Sequence, residues 1–185
     1  MCWPWANYDL YSRNLLSDYS IRIHAPQVLG AKMTTNELCA DKTIIAQFIS
    51  EITKDWYQSS TQKGMFEIRC LAENRTPVTE CFTLDAVENA IELVIKMNAR
   101  KLNVYITINP INPDAVIKEG KGATDIDMLR AHYSFADADD EQGLEGLIKL
   151  SGLIEPDITV TTGTVPNERR HAYWRLTEPC LDLQL

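Results

Sequence analysis

Residues 133–139 read YSFADAD, a strand that ends in acid, and this stretch decides the fold class. EQGLEGLIKLSGLI (141–154) follows as a short helix and DITVTTG (157–163) as a strand. After a polar loop, HAYWRL (171–176) is another strand. Short strands separated by single helices, with connections too brief for many parallel crossovers, predict an α+β sandwich whose sheet is mainly antiparallel.

Upstream of this stretch the same alternation continues. Leu38, Ile44, Ile45, Phe48, Ile49 and Ile52 approximate a helical stripe from an N-cap at Thr35 or Asn36 to about Tyr57. In MFEIRCLAE (65–73), Phe66, Ile68 and Cys70 alternate with Glu67 and Arg69 as in a half-buried strand. LDAVENAIELVIKMNAR (84–100) is a second helix, with Val87, Ile91, Val94 and Ile95 on one face. LNVYITINP (102–110) follows as a strand, and INPDAVIKEGKGATD (111–125) reads as an exposed excursion before structure resumes at Asp125 to Leu129. Residues 1–34 show no sustained period and are taken as a poorly defined N-terminal segment, leaving 35–185 as one domain.

Composition excludes several classes. The 185 residues are 45% hydrophobic, enough for a real core. No apolar run approaches the length of a membrane span, and MCWPWANYDLYSRNLL lacks the basic start and unbroken apolar run of a secretory signal, so a cytoplasmic location is expected. Five cysteines, with no C-x-x-C pair, fit neither a disulfide framework nor a cysteine zinc site. The formal charge of -8 argues against a wide electrostatic grip on a nucleic-acid backbone, although Arg169, Arg170 and Arg175 form a local basic cluster. The acceptor pattern Asn74-Arg75-Thr76 has no expected consequence without a signal peptide, and there is no G-x-x-x-x-G-K phosphate loop.

The chemistry concentrates in two places. On a strand of period two, Asp137 and Asp139 share a face while Ala136 and Ala138 take the other, so two carboxylates converge as a hard divalent cation requires. The competing reading makes DADDE a solvated acidic strand end or a helix start, with Asp139 or Asp140 as cap. In TGTVPNERRHAYWRL (162–176), Thr162, Arg169, Arg170 and His171 offer hydroxyl, guanidinium and imidazole groups suited to phosphate, against the alternative of a hairpin with surface arginines. Tyr173 and Trp174 fit core packing and base stacking equally. His132 falls on the face opposite Asp137 and is read as structural, with Arg130 a weaker candidate for the site.

The pair RAHYSFADADD (130–140) and TGTVPNERRHAYWRL (162–176) resembles the RepB-like primases of plasmids and phages, within the archaeo-eukaryotic primase superfamily, over about Phe66 to Leu176. The resemblance implies that Asp137 and Asp139 are the metal-binding aspartates and that His171 contacts the incoming nucleotide, with Arg169 where a basic residue often precedes that histidine. It further implies a divergent RNA-recognition-like, palm-like sheet with helices on one face. The implied reaction is DNA primase chemistry, nucleotidyl transfer with two Mg²⁺ or Mn²⁺ ions, with nucleoside triphosphates, a single-stranded DNA template and a replicative helicase as partners. The family's third acidic residue has no convincing match, since only Glu178 and Asp182 follow His171. The expectation is therefore that the third carboxylate lies beyond Leu185 in a longer parent, or that the chain is an inactive remnant. Two other classes stay open: a D-x-D nucleotide-sugar glycosyltransferase, and a non-catalytic nucleic-acid module stacking bases on Tyr133, Phe135, Tyr173 and Trp174.

Overall fold

The computed structural model describes residues 20–23, 40–56, 63–71, 76–118, 121–163 and 166–181. Its elements run β1 (Ser20–Ile23), α1 (Lys42–Thr53), β2 (Phe66–Leu71), β3 (Val78–Phe82), α2 (Val87–Ala99), β4 (Asn103–Ile106), β5 (Ala131–Ala138), α3 (Glu141–Leu153), β6 (Ile158–Gly163) and β7 (Arg169–Cys180). The α+β class expected from the sequence is what forms, but the strands divide into two small sheets, ordered β3-β2-β4 and β1-β6-β7-β5. The chain accordingly separates into two units, one built on the described residues of Cys39–His132 and the other on Tyr133–Thr177 together with β1. Hydrophobic alternation identifies a strand without naming its partner, so the division into two sheets is not readable from the sequence. Within the N-terminal segment, which shows no sustained period, Ser20–Ile23 forms β1, antiparallel to β6.

In the first unit, helix α1 starts at Lys42 because the Asp41 side chain accepts from the N–H groups of Thr43 and Ile44 at 2.7 and 3.2 Å. The caps expected at Thr35 or Asn36, and the helix end at Tyr57, lie outside the described residues. Strand β2 pairs antiparallel with β3 and β4, and its Phe66, Ile68 and Cys70 turn toward Ile49, Ala90 and Ile91 of the two helices. Each such aliphatic side chain withdrawn from water contributes roughly 1.5–3 kcal/mol. Cys70 and Cys81 are free thiols, and burial pushes Cys81 up to about 11.

Glu67 departs from the half-buried pattern. It is 1% exposed, with one carboxylate oxygen accepting from Arg69 Nε at 2.6 Å and the other from the Ala123 N–H at 2.5 Å. Arg69 in turn donates to the Ala123 carbonyl at 2.9 Å. The expected exposed excursion is thereby pinned to β2 at its far end, and Ile111 near its start bridges Met65 and Met128. Gly122 permits this: a Cβ there would fall 1.7 Å from an Arg69 guanidinium nitrogen.

Helix α2 ends in a Schellman motif, with Leu102 N–H bonded to the Met97 carbonyl at 3.1 Å and Lys101 N–H to that of Asn98 at 2.8 Å. Lys101 holds φ 61°, a left-handed conformation normally given to glycine. Lys101→Gly is expected to stabilise the protein by roughly 0.5–1 kcal/mol, read as a rise of ~2 °C in Tm. An unchanged or lower Tm would count against relief of that strain.

Candidate functional site

The second unit organises its sheet around β5 and β7. Ala136 and Ala138 of β5 and Ala172 and Trp174 of β7 pack with Leu144 and Leu147 of α3, which covers that face. Alternation sends Tyr133, Phe135 and Asp137 of β5, and Arg169, His171, Tyr173 and Arg175 of β7, to the other face. Contacts on that face run in antiparallel register. Asp137 meets His171 at 3.1 Å, the rings of Phe135 and Tyr173 lie 6.1 Å apart, and the Arg175 guanidinium sits 5.3 Å from the Tyr133 ring centroid while donating to its hydroxyl at 2.6 Å.

The carboxylates at the strand end divide their work. Asp140 caps α3, accepting from the Gly143 N–H at 2.6 Å. The helix start read in DADDE is therefore made by Asp140, and Asp139, the other cap considered, takes no part in it. Burial, reinforced by the neighbouring Asp137 carboxylate, raises the Asp139 pKa, while His171 and Arg169 pull it back down. All four groups therefore share one electrostatic neighbourhood.

His171 Nε2 stands within ion-pair distance of Asp137 Oδ1 but is not aimed at it. Oδ1 is buried without a directed hydrogen bond, even though the two atoms are close. The other imidazole nitrogen, Nδ1, lies 3.2 Å from the Tyr173 hydroxyl, with the two rings edge to face.

Of the basic and hydroxyl candidates, Arg169 joins the site and Arg170 does not. Arg170 alternates to the opposite side of β7 and is engaged by Glu168 at 2.5 and 3.2 Å. The spacing of a consecutive Arg-Arg pair could not say which of the two would share a face with His171 until the strand's start was known. Thr162 is the extra residue of a β-bulge, because Thr161 pairs with Arg170 and Gly163 with Arg169. The Arg169 guanidinium lies over Gly163, where a Cβ would come within 2.3 Å of it, and its Nε is buried without a hydrogen-bond partner. Gly163 is thus a site residue that the sequence reading passed over, and its only signal was the glycine inside TGT.

The other sequence candidates lie elsewhere. Trp174 is on the α3 side, its indole N–H donating to the Ile154 carbonyl at 2.9 Å, so it is not placed to stack a base beside His171. His132 is 4% exposed and accepts from Arg130 Nε at 3.1 Å, and Arg130 also donates to the Trp56 carbonyl at 3.4 Å. Both belong to the first unit. Glu178 is exposed near the end of β7, and Asp182 lies outside the described residues.

As a cation site the arrangement is sparse. Among the described residues no group of three or more His, Cys, Asp or Glu side chains is placed to hold a metal ion. Two carboxylates, one with an orphaned buried oxygen and the other with a raised pKa, nonetheless suit Mg²⁺ or Mn²⁺, which fill their remaining positions with water and substrate phosphate. The described helices include none long and apolar enough to cross a membrane.

Comparison with known proteins decides nothing further. No family model, curated protein or solved structure matches the chain.

Proposed function

We propose that the second unit binds a nucleoside triphosphate through a divalent cation and serves primase-type nucleotidyl transfer on a single-stranded DNA template. The observation that carries this reading is the 3.1 Å approach of Asp137 and His171 from segments some thirty residues apart in sequence, with Arg169 two residues before His171 on the same face of β7 and Asp139 two residues after Asp137. Oxygen donors for a hard cation and nitrogen donors for phosphate are the two halves of a metal-triphosphate site.

In this reading Asp137 and Asp139 hold Mg²⁺ or Mn²⁺, Arg169 takes phosphate oxygens, and His171 presents Nε2–H to the triphosphate. The bound metal supplies Lewis-acid activation of the attacking 3′-hydroxyl and neutralises charge on the departing pyrophosphate. The sheet of the second unit would be the divergent RNA-recognition-like element that the sequence resemblance implies, and a replicative helicase would be the partner. Phe135 and Tyr173 continue the same face beyond the carboxylates.

The test is binding of a labelled nucleoside triphosphate with Mn²⁺, with Mg²⁺ and with EDTA, alongside a uridine diphosphate sugar. Metal-dependent triphosphate binding is expected. Preference for the nucleotide sugar would move the site to a glycosyltransferase, and binding that ignores EDTA, or none, would overturn the proposal. Trp174→Ala is expected to lower stability through lost packing on α3 while leaving the triphosphate Kd within about twofold, whereas a stacking module would lose its ligand.

A further inference from the structure

We infer that Tyr173 is a positioning residue that fixes the tautomer and ring orientation of His171, so that Nε2 carries the proton and presents it to the ligand. Among the described residues, the contact between His171 Nδ1 and the Tyr173 hydroxyl, 3.2 Å, is the only directed hydrogen bond to the imidazole. Asp137 makes no directed hydrogen bond to the ring, its Oδ1 lying 3.1 Å from Nε2 without hydrogen-bond alignment. It acts only through its charge, which disfavours a bare Nε2, while the Tyr173 hydroxyl pairs with Nδ1 and holds the ring.

The assignment of the proton follows from what each partner can do. An ionised carboxylate only accepts, so a bare Nε2 lone pair 3.1 Å from Oδ1 would set two electron-rich atoms against each other. Nε2 therefore bears the hydrogen. In the neutral ring Nδ1 is then an acceptor, and the phenolic O–H of Tyr173 is the donor that meets it. Because Nε2–H is not spent on Asp137, it remains directed to a further acceptor.

Tyr173 is itself held. Its ring packs at 6.1 Å against Phe135, one step along the same face, and meets the imidazole edge to face at 6.3 Å. A side chain fixed by a neighbouring ring on one strand and bonded to a histidine two residues away on its own strand stops the imidazole from turning about its Cβ–Cγ bond. Such a turn would put a carbon where Nε2–H stands. The arrangement matches the way a hydrogen bond to one imidazole nitrogen decides the protonation of the other.

The role toward a triphosphate rests on the function proposed above, but the tautomer does not, and the experiment separates them. Long-range ¹⁵N–¹H correlation spectra of metal-free protein at alkaline pH report which imidazole nitrogen is protonated. His171 is distinguished from the other two of the chain's three histidines by its loss in His171→Gln. The wild type is expected to show a single Nε2–H form, and Tyr173→Phe, which keeps the ring packing and loses only the hydroxyl, a mixture of both tautomers. An Nδ1–H form in the wild type, or an unchanged spectrum in Tyr173→Phe, overturns the inference whatever the protein binds.

In the binding arm, Tyr173→Phe is expected to weaken the Mn²⁺–triphosphate complex about fivefold, as the loss of one neutral hydrogen bond does. His171→Gln, whose amide reaches the position of Nε2, is expected to keep more affinity than His171→Asn, whose amide reaches only that of Nδ1. The reverse order would overturn the inference even if Tyr173→Phe does not fold. Absence of triphosphate binding in the wild type would sink the proposed function and leave the tautomer result standing on its own.

Discussion

Asp137→Asn is expected to weaken Mn²⁺-dependent nucleoside triphosphate binding by more than ~100-fold while leaving the protein folded. Loss of a residue that merely supports a metal ligand costs about 10–100-fold, so loss of one of two carboxylate ligands should cost at least as much. The side chain is 18% exposed and its Oδ1 has no directed hydrogen bond to lose, so the amide can occupy the same space. Asp139→Asn is expected to produce the same loss of binding with a different stability signature. Burial and Asp137 raise the Asp139 pKa in the folded chain above its unfolded value. The folded state then binds the proton more tightly, so Asp139 costs stability as pH rises through the window from the ordinary carboxylate pKa to the raised one, and that cost persists above it. Removing the charge should therefore raise the Tm of metal-free protein at pH 7, and the gain should vanish at pH 3. Thermal melts of the variant and the wild type at both pH values, without metal, test this. A variant less stable than the wild type at pH 7 would show that Asp139 makes a favourable contact instead.

The second large effect belongs to the first unit. Glu67→Ala should destabilise the protein by about 3 kcal/mol, a fall of some 6–12 °C in Tm. The substitution leaves the Ala123 N–H without its acceptor and the Arg69 guanidinium without its counter-ion. Removing one partner of a buried pair costs about 3–5 kcal/mol, and the lower end applies because the Arg69 side chain is 36% exposed and can hydrate. Glu67→Gln keeps an acceptor and should lose less. Arg69→Ala in the Glu67→Ala background should cost only the hydrogen bond to the Ala123 carbonyl, about 1 kcal/mol, and so less than it costs in the wild type, since the two side chains act as one unit. Urea denaturation of the single and double variants measures the coupling. Additive losses would mean that Glu67 and Arg69 contribute separately, and the account of the pinned segment would fall.

The α+β class and the other helices and strands were legible in the sequence, because amphipathic period reports directly on which side chains leave water, but β1 and β3 were not: Val78–Phe82 was passed over between the turn at Asn74 to Pro77 and the second helix. The shared face of Ala136 with Ala138 was legible for the same reason. The exact start of α1 was not, because a cap is one hydrogen bond and several residues upstream could have made it; Asp41 does. Glu67 was read as the solvent side of a strand because alternation cannot see a loop 56 residues away that covers it.

By itself, then, the sequence determined the element types, the acidic pair and the histidine that could act with it, all of them local properties of spacing and residue type. Only the tertiary structure decided that the strands form two sheets, that Arg169 and not Arg170 lies beside His171, that Gly163 makes room for it, and that Tyr173 holds the imidazole. Those outcomes depend on strand register and on which strands become neighbours. Register is set by packing across the sheet, and a shift of one residue would have exchanged every one of these partners.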